Sequence, residues 1–302
     1  MKAILLVNPA SGRENVDHIV KVAKRKFEEK GYHLDVYFST CTNDLTEKAF
    51  LWATKYDTYL VCGGDGTINE VINGLMRSEI RPKIAIVPIG TVNDFAKILG
   101  VPKKIEKNID FIFNNEAVAT DVNQINDKYF IYVTAAGYLT SVSYEAKREE
   151  KKKYGSMAYF RAGIRSLNKK PFFRARIEYD DKVCEKDVSL MLALSANQFG
   201  GLKLFRFSKK TKLNDGLVDI RIFTDRNLAL ILRLVMFILL AGKKQYKELH
   251  ISTDHAIITP LNGEDVKWNC DGELLAEGKI ELKVIPRAIE FYAHPKQIKK
   301  FY

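Results

Sequence analysis

At 302 residues the chain is long enough for two domains, each with its own core. It is 46% hydrophobic and 28% charged, with only eight prolines, which excludes long disorder and low-complexity architecture. A net charge of +11 points to an anionic partner: nucleic acid, a nucleotide or an acidic membrane surface. The basic residues lack the aromatic interleaving of a nucleic-acid module, so no nucleic-acid partner is expected. Cys41, Cys62, Cys184 and Cys270 form no CxxC pair and the five histidines have no metal-ligand spacing. Reduced cytosolic thiols are therefore expected, with a disulfide or zinc site as the alternative. The apolar run Ala3–Val7 is too short for a signal peptide.

That run reads as a first, fully buried strand, and Asn8-Pro9-Ala10-Ser11-Gly12 follows as a turn-rich loop. A helix is predicted to about residue 30, with Val16, Ile19, Val20, Ala23 and Phe27 on one face and Gly31 as its stop. Residues 33–38 form the next strand, ending in Ser39-Thr40, and a short helix covers about 44–54. Residues 59–62 are a third buried strand and 84–87 a fourth, the latter closed by Pro88-Ile89-Gly90-Thr91-Val92-Asn93-Asp94 and a helix from Phe95. Strands alternating with helices imply a parallel sheet, whose ligands bind outside the carboxyl ends of the strands. Four successive strands end in polar loops on that one edge.

After about residue 121 the pattern changes. Residues 130–134, 172–179, 188–196, 217–223, 251–259, 266–270, 280–285 and 289–292 are strand-like with few helices between them, so a second, mostly antiparallel domain is expected. Two helices are predicted in it, at about 156–167 and 228–242. The latter is short of a membrane span and ends in Lys243-Lys244. It reads either as a core-packed helix with cations at its C-terminus or as an interfacial helix facing anionic lipid. The basic run at 147–153 reads as a solvated face or a membrane contact.

Gly63, Gly64 and Gly66 interrupt the pattern between the third strand and a helix carrying Ile68, Val71, Ile72 and Leu75. Glycines let backbone N–H groups approach a ligand, and a helix N-terminus favours an anion. Phosphate fits best; a plain turn is the alternative. No Lys-Ser/Thr follows, so this is not a Walker loop. The lone carboxylate, Asp65, suggests Mg²⁺ beside the phosphates.

Several motifs then fall in a specific order. They are Asn8 to Gly12, the run Gly63-Gly64-Asp65-Gly66-Thr67-Ile68-Asn69-Glu70-Val71-Ile72-Asn73-Gly74-Leu75, Pro88 to Phe95, Lys212-Leu213-Asn214-Asp215-Gly216-Leu217, and Asp271-Gly272-Glu273. On these residues the chain resembles the diacylglycerol kinase catalytic family, particularly the soluble bacterial lipid kinases, over nearly its full length. NAD kinases and phosphofructokinases share Gly-Gly-Asp-Gly-Thr alone. The resemblance implies an α/β N-terminal domain with a NAD kinase/diacylglycerol kinase-like parallel sheet, and a β-sandwich domain for the lipid. The expected boundaries are 1–122, with 293–302 packing back, and 123–292.

The resemblance further implies that ATP contacts Asn8, Pro9, Ala10, Ser11, Gly12, Thr40, Gly63, Gly64, Asp65, Gly66, Thr67, Ile68, Asn69, Glu70, Thr91 and Asn93. It assigns Asp65, Asp94 and Asp121 to catalytic Mg²⁺, partly through water, and Asp215 with the carbonyls of Lys212 and Leu217 to a structural Mg²⁺. It places the general base in Asp271-Gly272-Glu273. Asp271 is favoured because it directly follows a strand, Glu273 is its partner or rival, and a plain turn is the alternative. The implied activity is ATP-dependent phosphorylation of diacylglycerol to phosphatidic acid, in the cytoplasm at the inner face of the membrane. Another lipid alcohol, a sphingoid base or a non-catalytic nucleotide-binding regulator are the alternatives. The expected partners are the lipid and an anionic membrane surface, with a homodimer left open.

Overall fold

The computed structural model describes residues 1–11, 16–137, 172–199, 202–204, 206–207, 212–261, 266–271 and 273–302. The predicted helix at 156–167, the basic run at 147–153, Gly12 and Gly272 lie outside the described residues. The chain divides into two units: Met1–Val122 together with Pro286–Tyr302, and Asn123–Ile285.

The first unit is built on four parallel strands, β1 (Ala3–Val7), β2 (Leu34–Phe38), β3 (Thr58–Gly63) and β4 (Lys83–Pro88), in the order β2-β1-β3-β4. Every residue of β1 and β3 is buried, as a two-sided parallel sheet requires. Five helices accompany the strands: α1 (Val16–Glu29), α2 (Asp44–Leu51), α3 (Asp65–Leu75), α4 (Asp94–Leu99) and α5 (Ile105–Asn114). The period of two sends Ala3, Leu5 and Val7 to one face, where they pack with Phe27 of α1 and Ile109 of α5. On the other face, the Tyr59 hydroxyl donates to the Ala49 carbonyl of α2 (2.9 Å). Helix α5 is an addition to the expected elements, although Ile105, Ile109 and Ile112 carry its period in a charged stretch.

Register brings the strand ends level. Val7 opposes Phe38 and Cys62, and Cys62 opposes Val87. The four following loops therefore leave from one edge. The unit is completed by β18 (Ile280–Tyr292), whose Phe291 pairs in parallel with Ile84, and by α7 (Pro295–Phe301). β18 is one strand where two were expected. Pro286 and Arg287 (φ 51°) break its pattern but not its path. Residues 286–292 belong to the first unit, seven residues ahead of the expected boundary.

The second unit is a sandwich. One antiparallel sheet has the order β14-β13-β10-β7-β16-β17: β14 (Leu249–Thr253), β13 (Val218–Phe223), β10 (Leu190–Leu194), β7 (Val133–Gly137), β16 (Lys267–Cys270) and β17 (Glu273–Glu277). The opposing layer uses β8 (Phe173–Tyr179), β9 (Lys182–Val188), β15 (His255–Pro260) and the start of β18, with β5 (Ala117–Ile125) and β6 (Lys128–Phe130) forming a hairpin. A short pair, β11 (Gln198–Phe199) and β12 (Leu202–Lys203), lies beside them in sequence. Ile177, Ile258 and Leu282 from one layer share a core with Met191, Ile220 and Trp268 from the other. Helix α6 (Asn227–Leu239) covers the outer face of the first sheet.

Three expected strands prove to be two each, because the chain changes partner inside an apolar run. Residues 188–196 end β9 and begin β10 across Ser189, and 251–259 divide at Asp254 between the two sheets. Residues 130–134 divide between β6 and β7 at Ile131-Tyr132.

In the first unit, α2 and α3 cross at Gly74. A Cβ there would lie 2.1 Å from the Thr46 carbonyl oxygen, in backbone that cannot swing away. Gly74→Ala should destabilise the protein by about 1–3 kcal/mol despite its better helix propensity, read as a lower thermal midpoint.

Candidate functional site

The edge loops of the first unit are tied to one another. The Asn8 amide donates to the Cys62 carbonyl (3.0 Å), so the first loop leaves against β3. The Asn8 side chain accepts from the Ala10 amide (3.0 Å) and donates to Thr67 Oγ1 (3.1 Å), which also shares a hydrogen bond with Ser11 Oγ (3.1 Å). Thr67 belongs to the first turn of α3. Segments 59 residues apart thus close on one hydroxyl.

The glycines are required by close approach. A Cβ on Gly63 would meet the Thr67 side chain at 2.4 Å, and one on Gly90 would meet Gly64 Cα at 2.6 Å. The loops after β3 and β4 therefore lie backbone against backbone. Helix α3 starts after Gly64 with no side chain capping it. Intrahelical bonding begins with the Ile68 amide, which donates to the Gly64 carbonyl (3.1 Å). The amides of Asp65, Gly66 and Thr67 precede it and suit an anion. Ile68 and Asn69 are buried, and Asn69 accepts from the Asn73 side chain (2.9 Å), so these two shape the helix. Glu70 is half-buried and receives the Thr46 hydroxyl on its carbonyl (3.0 Å).

Asp65 does not cap its own helix. Its carboxylate accepts from the amides of Asp94 (3.1 Å) and Phe95 (3.2 Å), capping α4 instead. Burial pushes the Asp65 carboxyl above the usual carboxylate range and the charge of Asp94 adds to this; the two amides and Lys97 oppose it without cancelling it. Asp94 is buried and paired with Lys97 (3.2 Å). Asn93 is held at φ 51° with its side chain donating to the Gly90 carbonyl (2.5 Å). Its buried Oδ1 is an acceptor without a partner. Thr91 is exposed in the same loop. At the end of β2, Thr40 gives both its amide (2.8 Å) and its hydroxyl (3.1 Å) to Asp44. Burial raises the Asp44 carboxyl, but Thr40, Tyr37 and Lys48 together bring it below the ordinary range. The sequence reading missed Asp44, whose bonds to Thr40 join the end of β2 to the start of α2.

The remaining predicted residues belong to other elements. Asp121 is buried on β5 and accepts from the Arg287 amide (2.7 Å). Asp215 accepts from the amides of Lys212 (3.2 Å) and Leu217 (3.0 Å), so these three residues form one closed turn. A carboxylate is the kind of oxygen ligand that suits a hard cation. Among the described residues, no three His, Cys, Asp or Glu side chains are gathered to hold a metal ion.

Asp271 is buried at φ 49°, and its carboxylate accepts from the amides of Ile131 (2.6 Å), Tyr132 (3.2 Å) and Val133 (3.1 Å). Its own amide donates to the Val133 carbonyl (2.9 Å). This clasp accounts for the break between β6 and β7. Glu273 is the first residue of β17.

The chain thus joins a parallel α/β unit, with glycine-loop amides on its strand edge, to an antiparallel sandwich. The family model for the diacylglycerol kinase catalytic domain matches residues 2–125. A diacylglycerol kinase of Bacillus subtilis is 35% identical over 280 residues, covering 90% of this chain and 89% of its own length. One from Staphylococcus carnosus is 32% identical, covering 99% and 96%. The crystal structure of a diacylglycerol kinase from Bacillus anthracis superposes with a TM-score of 0.79 at 26% identity, covering 98% of both chains. The chain belongs to the diacylglycerol kinase family.

A carboxyl whose pKa is raised on folding holds its proton more tightly folded than unfolded, so its contribution to stability falls as pH rises above the unfolded value. Wild-type protein should therefore gain thermal stability relative to Asp65→Asn as pH is lowered from about 7 to about 4. Melting curves across that range check the sign.

Proposed function

We propose that the protein transfers the γ-phosphoryl group of ATP to the free hydroxyl of diacylglycerol, giving phosphatidic acid and ADP. Family membership supports a lipid kinase, and the glycine-loop edge of the first unit supports the nucleotide end of the reaction. The observation that carries the reading is the run of uncapped amides at Asp65, Gly66 and Thr67, held against the Gly90 loop. Amides fixed by a rigid loop stabilise phosphoryl oxygens without reorganising. Asn8, Ser11 and Thr67 fix the loop that meets the phosphates, and the orphan Oδ1 of Asn93 is suited to accept a hydroxyl proton from the nucleotide.

Asp65 and Asp94 would hold Mg²⁺ together with the phosphates and water, and Asp215 with the Lys212 and Leu217 carbonyls a structural ion. Bound with the nucleotide, Mg²⁺ supplies neutralisation of the charge on the transferring group. Proton removal is assigned to the Asp271-Gly272-Glu273 turn. Three amides already occupy the Asp271 carboxylate, which favours Glu273 as the group that takes the hydroxyl proton and Asp271 as the residue that fixes the turn. As the lipid oxygen attacks the γ-phosphorus, the bond to the ADP oxygen breaks and the proton passes to Glu273.

The lipid substrate and the net charge of +11 support action at an anionic membrane surface. Among the described residues no helix is long and apolar enough to cross a membrane.

Purified protein with labelled ATP and a panel of lipid acceptors in mixed micelles should label diacylglycerol. Preferential labelling of a sphingoid base would change the acceptor, and no labelling of any lipid would refute the reading. Glu273→Gln should abolish transfer with ATP binding and melting temperature retained. Asp271→Asn should lose about 1–3 kcal/mol of stability, because an amide cannot satisfy three N–H donors. If Asp271→Asn were stable and inactive while Glu273→Gln remained active, the two roles would be reversed.

A further inference from the structure

Three consecutive amides meet one carboxylate at Asp271, and extended backbone does not present them that way. Along a strand successive N–H groups point to alternate sides. For Ile131, Tyr132 and Val133 to donate together, their peptide planes must turn out of the sheet into a concave form that holds an anion. Turning them sends the carbonyls of the same planes the other way, into buried protein, where each needs a donor.

Two residues on other strands supply those donors. The Ile131 carbonyl accepts from Nδ2 of Asn123, on β5 (2.7 Å). The Tyr132 carbonyl accepts from the amide of Ser195, just past the end of β10 (3.0 Å). The plane joining Ile131 to Tyr132 is thus held at its oxygen by Asn123 and at its N–H by Asp271. The plane joining Tyr132 to Val133 is held at its oxygen by Ser195 and at its N–H by Asp271. The two outer residues also brace each other. Asn123 Nδ2 donates to Ser195 Oγ (2.9 Å), and Ser195 Oγ donates to Asn123 Oδ1 (3.1 Å). Asn123 is fully buried and Ser195 is 2% exposed, so neither bond competes with water. All of these residues belong to the second unit.

We propose that Asn123 and Ser195 are positioning residues for the Asp271-Gly272-Glu273 turn. They hold the peptide planes that hold Asp271, and through it the start of β17. This deepens the lipid-kinase reading and rests on it for the role of Glu273. Both residues are buried, so they act through Asp271 and not on the substrate. Without the Asn123 donor the Ile131 carbonyl is orphaned, its plane turns back toward strand geometry, and Asp271 loses the Tyr132 amide. A proton acceptor displaced by about 1 Å loses rate, because phosphoryl transfer depends on placement.

Steady-state kinetics of Asn123→Ala and Ser195→Ala test the assignment, at saturating ATP and diacylglycerol in mixed micelles and well below each melting midpoint. Asn123→Ala should lower kcat about 10- to 100-fold. The KM for ATP should not change, because the glycine loops of the first unit are untouched. Ser195→Ala keeps its main-chain bond to Tyr132 and should lose about three- to tenfold in kcat. If Asn123→Ala fails to fold, Ser195→Ala decides alone. A purely structural role would lower the melting temperature and leave the kcat of the folded protein as it was. Combined with Asp271→Asn, either variant should lower kcat by less than the product of the single losses, since all act through one clasp. The assignment is overturned if a folded variant keeps the wild-type kcat, if the loss falls on the KM for ATP, or if the losses multiply. Wild type that labels no lipid would remove the kinase reading and this assignment with it; active wild type with unaffected variants would remove this assignment alone.

Discussion

The strand edge of the first unit depends on one carboxylate bound to a neighbouring helix. Asp65 begins α3 but gives both its oxygens to the amides that open α4. That exchange leaves the first turn of α3 without an internal cap and fixes the two glycine loops at backbone contact, where Gly90 and Gly64 leave no room for a Cβ. The cost is a partly desolvated carboxyl whose charged form is disfavoured. Carboxyls perturbed by burial and a neighbouring charge cluster at functional sites.

A similar arrangement recurs in the second unit on a different scaffold. Asp271, in left-handed backbone, collects three amides of the segment joining β6 to β7. In both units an aspartate at the end of a strand organises a second stretch of chain, so each carboxylate does structural service beside whatever chemistry it takes part in. Removing either one changes geometry as well as charge.

Much of the first unit was legible in the sequence because burial on both faces writes itself as continuous apolar runs. β1 was found residue for residue, and the glycine break after β3 announced the start of α3. Helix α5 was missed because its three isoleucines stand among charged and polar residues. The second unit was legible as strands but not as pairings. Val188 and Leu190 are both apolar and buried, yet they belong to different sheets, and only the turn at Ser189 separates them. β9 is mostly exposed and polar, the signature of an edge, and carries no alternation to read. At the site, the glycines and Asp65 were visible as types. The Asn8–Thr67–Ser11 junction and the Asp65–α4 cap were not, because they depend on distances between loops far apart in sequence. The packing of α6 was also undecided, since periodicity counts apolar residues without saying which of them meet protein.

The route of β18 has a bearing on biogenesis. The first unit draws its final strand and helix from residues 286–302, which leave the ribosome only after all of the second unit has been made. Until then β4 is an open edge, and its hydrophobic sheet must wait for a segment about two hundred residues downstream of its own. The sandwich can mature before the first unit has its last strand; closing the first unit is a long-range step, slow and open to off-pathway strand pairing until it is made.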